Sequence, residues 1–187
     1  MTIILDNGHG YNTPGKRSPK YDGVILYEWE FNRDIVNRII RMLQQEGITN
    51  VVQLVPNAYD MSLAERVERI NRIDGQKVLF SIHANAGGGH GLEVFTSPGT
   101  TNSDLYATIL IDEMASMFPE QRLRLDFTDG DADKESLFYI LTKTNCPAVL
   151  SENFFMDNPS DCQLLKDHNT REKIAQAHVN AILKIVL

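Results

Sequence analysis

Apolar residues recur along this chain in two rhythms. Short, nearly unbroken runs occur at Thr2–Leu5 (TIIL), Val51–Val55 (VVQLV), Val78–His83 (VLFSIH), Leu92–Thr96 (LEVFT), Ser136–Leu141 (SLFYIL) and Ala148–Ser151 (AVLS). Runs of this length, rich in Val, Ile, Leu and Phe, predict strands buried on both faces. Wider spacing marks the helices. Over Glu28–Gln45 the apolar residues Phe31, Ile35, Ile39, Met42 and Leu43 fall on one helical face, and Gly47 follows as a stop signal. SLAERVERINRI begins with Ser62 and Glu65 in capping-box register, and Ser103 opens a third helix over SDLYATILIDEMASMF. A last helix is expected from about Thr170 to Val186.

The remaining stretches read as loops: YNTPGKRSPKYDG after the first strand, AGGGHG after the third, TKTNCP, and ENFFMDNPSD before the last helix. Strands alternating with helices predict an α/β fold. The expectation is a single three-layer domain over residues 1–187, with a mainly parallel, twisted sheet of about six strands and helices on both faces. No internal repeat or linker interrupts it.

Charge narrows the partners. With 25 acidic residues against 18 basic ones the net charge is −7, and no Lys/Arg stripe follows any predicted helix, so a nucleic-acid backbone is not an expected partner. No apolar stretch approaches the roughly 20 residues that span a bilayer, and Thr2–Leu5 is too short for the apolar part of a secretory leader, so no signal peptide is expected in these residues. Cys146 and Cys162 lie in no metal-binding spacing and are expected to be free structural thiols.

In open α/β sheets, sites form beyond the carboxyl ends of the strands. Here TIIL runs on to His9, VLFSI ends on His83 and AVLS leads into Glu152, while Glu28 starts the first long helix. Two histidines and a carboxylate from separate elements match the three protein ligands of a catalytic zinc, which leaves a fourth position for water. His9, Glu28 and His83 are therefore the candidate ligands, and Glu152 the candidate general base. Glu30, two residues from Glu28, is the rival carboxylate. Gly8 and Gly10 read as turn punctuation around His9. Asp6 and Asn85 are candidates to orient the ligands from behind, and His90 is a candidate substrate contact. His168 and His178 read as ordinary surface or core residues. Asp129, Asp131, Asp133 and Glu135 alternate like the start of a calcium loop, but the position-12 glutamate is missing, so a solvated turn is expected.

Four blocks, ILDNGHG, YEWEFNRDIV, FSIHANA and PAVLSENFFMDNPSD, occur in an order that resembles the zinc-dependent N-acetylmuramoyl-L-alanine amidases of the Amidase_3 family across nearly the whole chain. The resemblance implies zinc on His9, Glu28 (with Asn32 four residues on) and His83 (with Asn85 two residues on). It also implies that Glu152 is the catalytic glutamate, with Phe155, Asn158 and Asp161 in register. The expected reaction is hydrolysis of the amide between N-acetylmuramic acid and L-alanine in peptidoglycan, by a monomer with an open site. The first block departs from the family's D-P-G-H-G-G at Asn7 and Tyr11, in the loop rather than at a ligand. Such an enzyme acts on the cell wall, so it is expected to be a phage or prophage lysin made in the cytoplasm, or a chain whose leader has been removed. The alternatives are another zinc peptidase or carboxypeptidase acting on wall peptides, which would need an arginine such as Arg122 or Arg124 for a terminal carboxylate, and a non-catalytic peptidoglycan-binding domain.

Overall fold

Strands β1 (Thr2–Asn7), β2 (Val51–Gln53), β3 (Lys77–Asn85), β4 (Leu92–Thr96), β5 (Lys134–Glu135) and β6 (Ala148–Phe155) form one sheet in the order β2-β1-β3-β6-β4-β5 in the computed structural model. The model describes residues 1–186; Leu187, the last position of the expected domain, lies outside the described residues. Strands β2, β1, β3 and β6 run parallel, and β4 runs antiparallel to β6. The expected fold class is what is found.

The helices are α1 (Glu28–Gln45), α2 (Leu63–Asn71), α3 (Asn102–Met117), α4 (Tyr139–Thr142), α5 (Pro159–Lys166) and α6 (His168–Val186). Phe31, Ile35 and Ile39 of α1 pack with Ala107 and Leu110 of α3 and Ile174 and Ala181 of α6 against the Ile3, Leu5, Val78 and Phe80 face of the sheet. The opposite face is thinner. There Ile4, Leu79 and Leu150 meet Ile70 of α2 and Ile140 and Leu141 of α4. Each such Ile, Leu, Val or Phe side chain, fully removed from water, contributes about 1.5–3 kcal/mol, so the two clusters hold the sheet's strand ends in place.

Several local expectations give way to tertiary context. SLFYIL is not a strand: Leu137 is 81% exposed, and only Ile140 and Leu141, on the single turn of α4, are buried. The edge position goes instead to the two-residue β5. β6 continues through Glu152 to Phe155 rather than stopping at Ser151, so ENFF is strand and not loop. Asn158 then caps α5 by accepting from Ser160 N and Asp161 N, with Pro159 in the first turn, a start signal that lay within the segment read as loop. α3 begins at Asn102, with Thr101 and Asp104 forming its capping box, one residue ahead of the expected Ser103. α6 begins at His168, where Asp167 Oδ2 accepts from Thr170 N at 2.7 Å.

One irregularity shapes the site end of the sheet. His83 is in register with Glu152 and Asn85 with Phe155, so β6 carries one residue more than β3 over this interval. Phe154 sits in that bulge with φ +63, a conformation costing a non-glycine residue about 1–3 kcal/mol. The extra residue switches faces: Val149 and Phe154, five apart, both enter the larger core, where Phe154 meets the Phe118 ring edge-on at 5.5 Å. Glu152 is left on the opposite face, in register with His83.

Candidate active site

At the carboxyl end of β1 the chain bends through Gly8-His9-Gly10. His9 itself takes φ +64, and its glycine neighbours answer to packing more than to turn geometry. A Cβ at Gly8 would run into the imidazole of His83, and one at Gly10 into the backbone of Asp60. The two histidines pack edge to face, with ring centroids 5.0 Å apart.

Glu28 enters from the other side, at the first turn of α1, where the helix dipole favours a carboxylate. It is 1% exposed. Its Oε1 lies 3.3 Å from His9 Nε2 and 3.0 Å from His83 Nδ1. His9, Glu28 and His83 thus each offer a ligand atom within 4.8 Å of the other two. Asn32, one turn along α1, donates to Gly8 O at 2.9 Å and ties the helix to the histidine loop. Burial opposes ionisation of Glu28, but the hydrogen bonds and charge of the two histidines outweigh it and hold the carboxyl well below the usual range. Glu30 is exposed, which removes the rival carboxylate.

Behind His83 stands a relay that the sequence reading largely missed. His83 Nε2 lies 3.2 Å from Ser81 Oγ, which donates to Asp6 Oδ2 at 2.7 Å. Asp6 Oδ1 pairs with Arg66 Nη1, and Arg66 Nη2 donates to Asp60 Oδ1 at 2.8 Å. Thr13 Oγ1 closes the chain on Asp60 Oδ2 at 2.6 Å and accepts from Gly10 N at 2.9 Å, which returns the network to the His9 loop. Asp6 was a named candidate and reaches His83 through Ser81. The signal for Ser81 was period-2 alternation, which puts residues 81 and 83 on one face of β3. Nothing in the sequence marks Arg66 as the buried one among Arg66 and Arg69 of α2 and Arg72 at its C-terminal cap.

Glu152 is placed beside His83 by the parallel register of β3 and β6, strands that neighbour at about 4.8 Å. Its Oε2 is shielded from solvent and accepts no hydrogen bond. Burial pushes its carboxyl up to about 7; His83 pulls the other way and the Glu28 charge adds to the rise. Glu28 and Glu152 both line a cleft of about 290 Å³, which Lys16 and Asn85 border. Lys16 Nζ stands 3.8 Å from Glu28 Oε2.

Asn85 spends its side-chain oxygen on Ala86 N at 2.8 Å, inside its own loop. His90 is exposed, with Nε2 3.4 Å from Arg122 Nη1 and apart from the His9, Glu28 and His83 group. Arg124 is committed to the buried Glu93. His178 is a core residue, 0% exposed, held by Ser151 Oγ at 2.9 Å and Ile174 O at 2.8 Å. Both cysteines are free.

Known proteins resemble this chain in sequence and in fold. The chain is 31% identical over 187 residues to the N-acetylmuramoyl-L-alanine amidase CwlM of Bacillus licheniformis, covering 98% of this chain and 68% of that protein. It is 28% identical to the sporulation-specific N-acetylmuramoyl-L-alanine amidase of Bacillus subtilis, covering 97% and 67% respectively. The crystal structure of an N-acetylmuramoyl-L-alanine amidase from Clostridium difficile superposes with a TM-score of 0.85 at 26% identity, over 99% of this chain and 96% of that one. The Amidase_3 profile, described as N-acetylmuramoyl-L-alanine amidase, matches residues 3–184, and the chain belongs to that family.

Proposed function

We propose that this protein hydrolyses the amide joining the lactyl group of N-acetylmuramic acid to L-alanine in peptidoglycan, as a monomer, with zinc as its cofactor. The observation that carries the reading is the meeting of His9 Nε2, His83 Nδ1 and Glu28 Oε1 beside a shielded, unpartnered Glu152 oxygen. Two imidazole nitrogens and a carboxylate oxygen suit zinc, and Glu28 Oε2, buried without a hydrogen-bond donor, leaves that carboxylate unsaturated. Zinc held by these three side chains would polarise the scissile carbonyl and acidify the attacking water.

The chain's own residues supply the rest. Glu152, with its carboxyl brought near neutrality by burial, accepts the proton of the attacking water and returns it to the departing L-alanine nitrogen. Ser81 and Asp6 fix the ring of His83 so that Nδ1, not Nε2, faces Glu28. The cleft bordered by Lys16 and Asn85 orients the substrate beside Glu152. A wall-lytic role in the periplasm or outside the cell fits this substrate, and among the described residues no helix is long and apolar enough to cross a membrane.

The test is digestion of purified sacculi with mass spectrometry of the products, run with and without a chelator and with Glu152→Gln. Free stem peptides beginning at L-alanine, released only by the untreated wild-type protein, support the reading. Cleavage at a peptide bond within the stem, or intact sacculi with the zinc-loaded wild type, overturns it.

A further inference from the structure

At the opposite end of the sheet lies a second group of acids. Glu93 of β4 pairs with Glu152, but β4 runs antiparallel to β6, so Thr96 lies three residues further from the active site, roughly 10 Å along the strand. Here Asp104, in the first turn of α3, and Asp131 and Asp133, just before β5, bring carboxylate oxygens within 4.8 Å of one another.

The expected solvated turn is not what forms. Asp129 is exposed as such a turn requires, but Asp133 is only 2% exposed. Its Oδ2 accepts from Thr96 Oγ1 at 2.6 Å, while its Oδ1 is sealed from solvent and finds no donor. Asp131 Oδ1 is shielded and unpartnered as well. Among the described residues no Lys, Arg or His forms an ion pair with any of the three; Lys134, the adjacent cation, is taken by Glu93 at 3.0 Å. Asp104 Oδ2 accepts from Thr101 N at 2.6 Å and its Oδ1 from Thr101 Oγ1 at 3.4 Å, so this part-buried carboxylate has only neutral partners of its own and, among the described residues, no cation. Burial raises the Asp133 carboxyl to about 7, with Asp131 and Asp104 adding to it. A buried acceptor with neither donor nor counter-charge separates this group from an ordinary acidic surface.

We propose that Asp104, Asp131 and Asp133 bind one calcium ion, which ties the first turn of α3 and the segment before β5 to the end of β4. The donors are all oxygen, which selects a hard cation, and their mixed loop and helix origin suits the flexible coordination of calcium better than the strict octahedron of magnesium. The site is independent of the zinc reading: it shares no residue with it and lies at the other end of the sheet.

The test uses the zinc-loaded, full-length protein at pH 7.5. Titration calorimetry with calcium chloride should show one site of about 10⁻⁴–10⁻³ M, and 10 mM calcium should raise the thermal midpoint by about 3–8 °C. Asp131→Asn, at a part-exposed position, should weaken binding at least tenfold and cut the shift to about half or less, whereas Asp129→Asn should leave both unchanged. No heat and no shift in the wild type, or an undiminished shift in Asp131→Asn, would overturn the proposal. So would an equal response to magnesium. A midpoint that rises on acidification from pH 8 to 6 with no response to calcium would also overturn it, and would assign the cluster to a shared proton.

Discussion

Glu28 Oε1 lies 3.0 Å from Nδ1 of His83, although 55 residues separate the two in the chain. The contact joins the first turn of α1 to the end of β3, and His9 joins the same oxygen from the end of β1. Each partner arrives from an element anchored in the core, so their meeting reports the packing of the sheet against α1. This convergence is what the proposed chemistry needs, and it exposes several points to measurement.

Glu152→Gln should abolish activity, by about 10²–10⁴-fold or more, and stabilise the metal-free protein at alkaline pH. The folded-state pKa is raised from 4.5 to about 7, so the folded state holds the proton more tightly than the unfolded chain. The stability linked to that proton is present below pH 4.5 and is lost as pH rises through 7, up to about 3 kcal/mol. Denaturant unfolding of chelated protein should show wild type and variant diverging between pH 5 and 8, with the variant more stable at pH 8. Parallel pH curves would contradict the raised pKa.

Gly8→Ala should act on His83 rather than on the turn. The new methyl group meets the imidazole, so the ring must move or the backbone must shift, at about 1–3 kcal/mol. Zinc retention under competing chelator should fall more steeply in this variant than in Gly15→Ala, whose Cβ meets nothing.

Ser81→Ala removes the link between His83 and Asp6 while leaving all proposed ligands in place. Zinc affinity should drop about 10–100-fold with little change in fold. Arg66→Ala is different in kind: Asp6, 1% exposed, loses its ion-pair partner, and unfolding free energy should fall by about 3–5 kcal/mol. Circular dichroism melts separate the two outcomes.

His178 should make the protein acid-labile from the core side. Burial lowers its pKa to about 4, so the neutral ring's contribution is present above 6.5 and is lost as pH falls through 4, by up to about 3 kcal/mol. His178→Gln should flatten the stability curve between pH 6.5 and 4, and an unchanged slope would contradict this.

How much of this could be read in advance follows from which forces act locally. His9, His83 and Glu152 were legible because each follows an apolar run toward the carboxyl end of a parallel strand, where sites gather, even though β3 and β6 run on past His83 and Glu152 to Asn85 and Phe155. Glu28 stood out from Glu30 only through its register with Asn32. By contrast, SLFYIL carries strand formers but no strand lies beyond the β4 edge for it to pair with except the two residues of β5, so its apolar residues are largely exposed. The bulge at Phe154 has no marker in the sequence, since a phenylalanine at positive φ is imposed by packing on both sides. Arg66 and Asp133 are polar residues whose burial depends on neighbours distant in the chain, Asp6 and Thr96, which no spacing rule brings together.

The most direct measurement is crystallography of the purified protein with anomalous scattering collected at the zinc edge. The account predicts one strong peak coordinated by His9 Nε2, Glu28 and His83 Nδ1, with Glu152 beside it and not ligating. A zinc-soaked crystal with no peak among these three side chains, or one in which the imidazoles of His9 and His83 point away from each other, would contradict it.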